Sequence, residues 1–242
     1  MKTLVINLEL RLDRLKLFME HWAAYGLIER VDGVLTDIPH TGCGLAHINA
    51  IRIGLKDNDW CLILEDDARL MCSVDKFKLI IEEASQHNCD AIFLGANVDL
   101  LFSDPDSVHI MSANFMKVSR TKSIRSCTAM LWSKRSLPLV NEYERILKSG
   151  IVFPIDRMLT SFAYPWIVTH TNGDEAPNCK LINPLPSVLI CKKSLVIQEV
   201  GIFSDNTHDL SEDVSKGTTE FLNNLYALGS GRKNPSAMIS VS

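Results

Sequence analysis

Residues Asp57 to Leu70 read DNDWCLILEDDARL, and the order of residue types in this stretch decides the fold. Asp57 to Asp59 is a turn, Trp60 to Leu64 is an unbroken apolar run of strand length, and the run breaks into three adjacent carboxylates, Glu65, Asp66 and Asp67. A strand that is apolar without alternation is buried on both faces, as in a parallel sheet covered by helices. Carboxylates at the carboxyl end of such a strand stand where open α/β sheets hold their ligands. In extended backbone Glu65 and Asp67 point to one side and Asp66 to the other. The three cannot share a dry site unless a divalent cation or hydrogen-bond donors offset their repulsion. Taken alone, the triplet reads equally as a solvated strand end opening a turn.

Working outward, Thr3 to Leu8 is a buried first strand, and Leu15, Phe18, Met19 and Trp22 follow at helical spacing in a helix that stops near Gly26. Ile28 to Leu35 is a second strand. Pro39, Thr41, Gly42 and Gly44 mark a loop before a helix over Leu45 to Leu55. After the acidic cluster come a helix over Val74 to His87 and a strand over Asp90 to Leu94. This alternation predicts an α/β fold with a Rossmann-like, mostly parallel central sheet and helices on both faces. Asn97 to Lys117 reads as an irregular hairpin or loop, Cys127 to Trp132 as a strand, Ser133 to Leu147 as a helix and Ile155 to Phe162 as a shorter helix opened by Pro154. Trp166 to Thr169, Ser187 to Ile190 and Leu195 to Val200 are further strands, and a last helix carries Phe221, Leu222, Leu225 and Leu228. The expectation is one domain over 1–228 and a mobile tail over 229–242.

With 242 residues, 46% hydrophobic and 22% charged, the chain has an ordinary globular balance. A formal net charge of −4 argues against nucleic acid as a partner. No apolar stretch approaches the roughly 20 residues that cross a bilayer, which leaves only peripheral membrane association. The seven cysteines show no CxxC or finger-like spacing, so a structural zinc site is not expected and a reducing, cytoplasmic compartment is.

Asn7, Arg11, Asp13 and Arg14 follow the first strand and can face the same crevice as the acids; Arg11 or Arg14 suits a diphosphate, Asn7 or Asp13 a base or ribose. As a plain alternative they form a polar helix start. His47 suits a phosphate contact or the orientation of a carboxylate, and equally a satisfied buried histidine. Cys43 and His47 show no evident third catalytic member, which disfavours cysteine or zinc hydrolysis. Asp156, in the segment PID, is either a helix cap or a base toward an acceptor hydroxyl. Asp205 and His208 lie in a polar loop that can return to the metal edge.

INLELRLDR at Ile6 to Arg14, GCGLAHINA at Gly42 to Ala50, LILEDDARL at Leu62 to Leu70, DAIFLG at Asp90 to Gly95, CTAMLWSKRS at Cys127 to Ser136, PID at Pro154 to Asp156 and LPSVLICKKSLVIQEVGIFSDNTH ending at His208 fall in an order that resembles glycosyltransferase family 25. That family holds lipopolysaccharide-chain transferases and collagen-modifying galactosyltransferases. The resemblance implies a GT-A fold and inverting transfer of a hexose, galactose foremost, from a uridine-diphosphate sugar to a glycan or glycoprotein hydroxyl. It places donor base and ribose near Asn7, Arg11 and Arg14, and a manganese or magnesium ion near Glu65, Asp66 and Asp67. Asp67 would be the direct ligand, with Glu65 or Asp66 contacting the donor or completing the shell through water and His208 a further metal candidate, Gly42 and His47 shaping the donor pocket, and Asp156, or else Asp205, the base. Ala46 and Trp132 depart from the family pattern, which has Ser before the histidine and a Gly-rich, Tyr-bearing segment downstream. Two other classes fit the same acids: a noncatalytic carbohydrate- or protein-binding module, and a nucleotidyltransferase.

Overall fold

The structure, a computed structural model, describes residues 1–95, 97–98, 108–118, 124–150, 154–156, 159 and 187–199. Its central sheet is built on β1 (Lys2–Asn7), β2 (Glu29–Asp32) and β3 (Trp60–Glu65), all parallel, with β1 in the middle. Beyond β3 the order continues through β10 (Ala129–Ser133), β5 (Ala91–Phe93), β11 (Val188–Cys191), β8 (Phe115–Val118) and β7 (Val108–Ile110). Two short pairs lie outside it: β4 (Ala68–Leu70) with β12 (Val196–Gln198), and β6 (Asn97–Val98) with β9 (Ile124–Arg125).

The expected mostly parallel sheet is mixed. Strand β10 runs antiparallel to both β3 and β5, and β8 antiparallel to β11 and β7; only β5 and β11 restore a parallel pair in that half. An all-apolar segment such as AMLW signals burial on both faces and carries no information on strand direction.

Burial on both faces is what the pleat delivers. Leu4, Cys61, Ile63, Met130 and Trp132 pack on one side with α2 (Pro39–Leu55) and α4 (Leu137–Lys148). Their chain neighbours Val5, Leu62, Leu64 and Leu131 pack on the other side with α1 (Leu12–Trp22) and α3 (Val74–Ala84). Alternate side chains of each central strand thus feed two separate cores, and the domain has three layers. On α4, Leu139, Val140, Tyr143, Ile146 and Leu147 form the apolar stripe at helical spacing.

Two local readings change. The segment from Pro39 is not a loop: Pro39 opens α2 at its first turn, and Gly42 and Gly44 lie inside the helix. A side chain at Gly42 would stand 2.2 Å from the Val34 carbonyl oxygen and one at Gly44 2.5 Å from the Tyr143 hydroxyl. These glycines therefore mark close packing against the β2–α2 connection and against α4, which a sequence reader mistakes for turn chemistry. Helix α1 ends at Trp22, and the chain turns through Tyr25 to Gly26 at φ +118, a left-handed conformation that favours glycine.

The expected strand at Trp166 to Thr169, the last helix and the boundary at 228/229 lie outside the described residues. No helix among the described residues is long and apolar enough to cross a membrane.

Candidate functional site

Strand β1 lies between β2 and β3, so the chain leaves β1 toward one edge of the sheet and reaches β3 on the other side. That reversal opens a crevice beyond the carboxyl ends of β1 and β3, the place where doubly wound sheets bind ligands. Ile6 pairs with Glu65 and Asn7 with Asp32, which sets the ends of the three strands side by side. A cavity of about 150 Å³ fills the crevice, lined by Asn7, Arg14, Cys43, His47, the three acids and Gln198. Gly33 to Thr36 also line it.

The acids do not alternate as extended backbone would place them. Strand β3 ends at Glu65 and the chain turns at Asp66 and Asp67, so both aspartates swing toward α1. Arg14 Nη2 forms an ion pair with Asp66 and lies 2.8 Å from Asp67 Oδ2. The amide of Asn7 donates to Asp66 Oδ2 at 2.7 Å, and that of Gln198 donates to Asp67 Oδ2 at 3.0 Å. Glu65 goes the other way, toward His47 Nε2 at 3.2 Å. Burial pushes both aspartates up. For Asp67 burial comes first and the nearby Glu65 charge second, and together they outweigh Arg14 and raise its carboxyl to about 7. For Asp66 burial is again the largest cause, opposed by Arg14 and the Asn7 bond.

Asp67 Oδ1 is buried with no hydrogen-bond partner among the described residues. It is the one aspartate oxygen in the crevice with that character, since Asp67 Oδ2 and both Asp66 oxygens are engaged. With the other three oxygens engaged, this atom is what the two aspartates have left to offer a divalent ion.

Two expected donor residues are not among those lining the cavity. Arg11, which caps the start of α1, does not line the cavity; its guanidinium pairs with Asp13 at 3.3 Å, and its charge helps hold the Asp66 carboxyl down. Gly42 is also outside the lining and acts through Val34, which its missing side chain lets close in. Asp205 and His208 lie outside the described residues.

Asp156 does not line the cavity, but its charge reaches Cys43, which does. Its Oδ2 accepts from the backbone N–H of Ser126 at 3.1 Å. Ser126 holds φ 79, unusual for a residue with a side chain, and leads into Thr128, whose carbonyl accepts from Glu65 N–H at 2.9 Å. The antiparallel entry of β10 thus sets the Asp156 anchor next to β3.

Cys43 and His47 gain the third member that the sequence did not show. They stand one turn apart on α2, and the donor atoms of Cys43, His47 and Glu65 all lie within 4.8 Å of one another, a cluster able to hold a metal ion. Burial, then the charges of Glu65, Asp156 and Asp67, push the Cys43 thiol well up. Gln198 was also missed; it arrives from β12, which β4 pairs beside the acids.

The chain overlays on the crystal structure of a glycosyltransferase involved in the glycosylation of the major capsid of PBCV-1, with a TM-score of 0.51 over 92% of this chain and 98% of that one. The fold is GT-A-like. At 10% sequence identity the likeness establishes the fold alone. A 4-diphosphocytidyl-2C-methyl-D-erythritol synthase from Anaerococcus prevotii overlays at TM-score 0.41 and 16% identity, covering 92% of this chain and 78% of that one. The galactosyltransferase LgtC, in complex with donor and acceptor sugar analogs, overlays at TM-score 0.37 and 11% identity, covering 98% of both chains. No family model and no curated protein matches the sequence, so the resemblance to family 25 rests on the quoted motifs.

Proposed function

We propose that the protein is a glycosyltransferase that takes its sugar from a nucleotide sugar. The observation that carries this reading is the convergence of Glu65, Asp66, Asp67, Asn7, Arg14 and His47 on one cavity at the switch point of a GT-A-like sheet. The segment from Gly33 to Thr36 brings the apolar Val34 and Leu35 to the lining, which suits the face of a flat base. Its volume of about 150 Å³ takes part of such a donor, the rest lying over the open rim. A divalent ion held by Glu65 and Asp67 would supply positive charge for the departing diphosphate. Arg14 holds both aspartates in place and keeps one positive charge inside an acidic pocket.

The finer reading follows the motifs: inverting transfer of a hexose, galactose foremost, from a uridine-diphosphate donor to a glycan or glycoprotein hydroxyl. Asp156, anchored by Ser126, takes the hydroxyl proton as the acceptor oxygen bonds to the anomeric carbon and the bond to the diphosphate breaks. Asp205 is the alternative base. All six described cysteines are free, which suits a cytoplasmic setting.

The test is a screen of nucleotide sugars for hydrolysis and transfer, with and without chelator. Asp67→Asn should lower turnover by roughly 100-fold while the far-ultraviolet circular dichroism stays unchanged. Wild-type turnover in that variant removes Asp67 from the mechanism. A wild-type protein that turns over no nucleotide sugar is a binding module, and release of pyrophosphate in place of a nucleoside diphosphate makes it a nucleotidyltransferase.

A further inference from the structure

Cys43 is the one donor in the crevice that the transfer reading leaves unused. A pair of ligating side chains four residues apart on one helix face, completed by a carboxylate from a neighbouring strand, is a recurrent way of building a three-ligand metal site. Here Cys43 and His47 provide the pair from α2 and Glu65 provides the carboxylate from the end of β3. His47 Nε2 and Glu65 Oε1 are already 3.2 Å apart. Bonds of about 2.0–2.3 Å to a tetrahedral ion put its donors about 3.3–3.8 Å from one another, so that pair stands near the final spacing. Only the thiol has to close in from the present limit of 4.8 Å, a movement that side-chain rotation provides. A second observation points into the same cavity: Asp67 is 5% exposed, and its Oδ1 lacks a partner among the described residues.

The chemistry of the donors selects the ion. Magnesium and manganese take oxygen ligands in octahedral sets, and a thiol contributes little to either. A thiolate, an imidazole and a carboxylate together suit a borderline ion of the zinc class, which accepts all three and leaves a fourth position open. In the crevice that position faces the cavity, where a water or a ligand oxygen would complete the shell. Two further ligands from the aspartates are not on offer, because Arg14, Asn7 and Gln198 hold their other oxygens.

We propose that Cys43, His47 and Glu65 form a three-ligand site for a thiophilic divalent ion of the zinc class, with its open coordination position in the crevice beside Asp67. The thiol binds as the thiolate and its proton goes to solvent. Manganese or magnesium held by Glu65 and Asp67 would share only Glu65 with this ion, a carboxylate whose second oxygen can serve another cation. The site stands whether or not the protein transfers a sugar.

The full-length protein, stripped with chelator, is titrated with cobalt as the spectroscopic stand-in for zinc. The expected result is a near-ultraviolet thiolate-to-cobalt charge-transfer band with intense visible bands of a four-coordinate ion, both abolished by one equivalent of zinc and untouched by excess magnesium. Cys43→Ala removes the charge-transfer band. His47→Ala lowers cobalt affinity by at least the roughly 100-fold that losing even an outer partner of a ligand can cost. Cys43→Ser, nearly the same size, separates loss of the ligand from loss of packing: it must lose the band with its unfolding midpoint held. No charge-transfer band in the wild type, or a band that survives in both Cys43 variants, overturns the proposal. These outcomes leave the transferase reading untouched, since nucleotide-sugar turnover is measured separately.

Discussion

The guanidinium of Arg14 lies 2.8 Å from the carboxylate of Asp67, with the two side chains 8% and 7% exposed. Asp66 shares the same Nη2. One cation on α1 therefore holds the turn after β3 in shape, and the acids are part of the protein's stability as well as its site. Removing the cation leaves buried negative charge without compensation, which costs more than the pair itself contributes. Arg14→Gln should lower unfolding free energy by roughly 3–5 kcal/mol, and Arg14→Lys by less. Urea unfolding of the three proteins decides this; an unchanged midpoint in Arg14→Gln would mean that the pair is not formed in solution.

Asp156 should separate transfer from donor binding. Asp156→Asn keeps an oxygen for the Ser126 N–H bond and loses basicity, so transfer falls by roughly 10²–10⁴ while donor affinity changes little. Kinetics with a competent donor and acceptor read both quantities. Equal losses in affinity and transfer would reassign Asp156 to holding the Ser126 turn.

Packing at the far end of α1, on the same buried face as Arg14, reaches the same turn. Trp22 is 1% exposed, stacks on Phe18, meets Tyr25 and Phe77 edge-on, and donates from Nε1 to the Ala68 carbonyl at 2.9 Å. Ala68 directly follows Asp67, so loss of this anchor loosens the aspartates. Trp22→Ala should cost roughly 3–5 kcal/mol, and Trp22→Phe should keep most of the packing while losing the hydrogen bond and part of the turnover. Full activity in Trp22→Phe would show that the anchor does not position the site.

One surface contact carries a pH signature. Glu144 on α4 accepts from Arg52 on α2 at 2.6 Å and meets Lys148 at 2.9 Å; the Arg52 bond is the larger cause, and together they lower its carboxyl from 4.5 to about 2. A folded-state pKa below the unfolded one means that the contribution is complete above the unfolded value and is lost as pH falls toward the folded one. Solvent screening limits it to roughly 1 kcal/mol or less. The stability gap between wild type and Glu144→Gln should therefore be constant from pH 7 to about 5 and shrink as pH drops from 4.5 toward 2. Denaturant titrations across that range test it, and a gap that widens in acid would reverse the sign argument.

Much of this architecture was readable in advance, for a reason visible in WCLIL and AMLW. Long-range burial on two faces requires unbroken apolar strands, and helices that cover them need stripes at helical spacing, so β1, β3, β5, α1, α3 and α4 announced themselves along the chain. Strand direction did not, because β10 carries the same apolar signature whichever way it runs. The start of α2 was hidden because Gly42 and Gly44 serve close packing against Val34 and Tyr143, a use that looks like a turn until the neighbours are known.

By itself the amino-acid order determined that carboxylates would end a buried strand, since that follows from residue type and local periodicity. Which charges meet was left to tertiary structure. Arg14 closes on Asp66 and Asp67, Gln198 arrives from a strand 131 residues away, and Cys43 acquires Glu65 through His47. Each of these is a contact between distant segments, set by the direction in which the backbone turns after Glu65. Sequence spacing carries no record of that direction, and the packing of α1, α2 and β12 around the turn decides it.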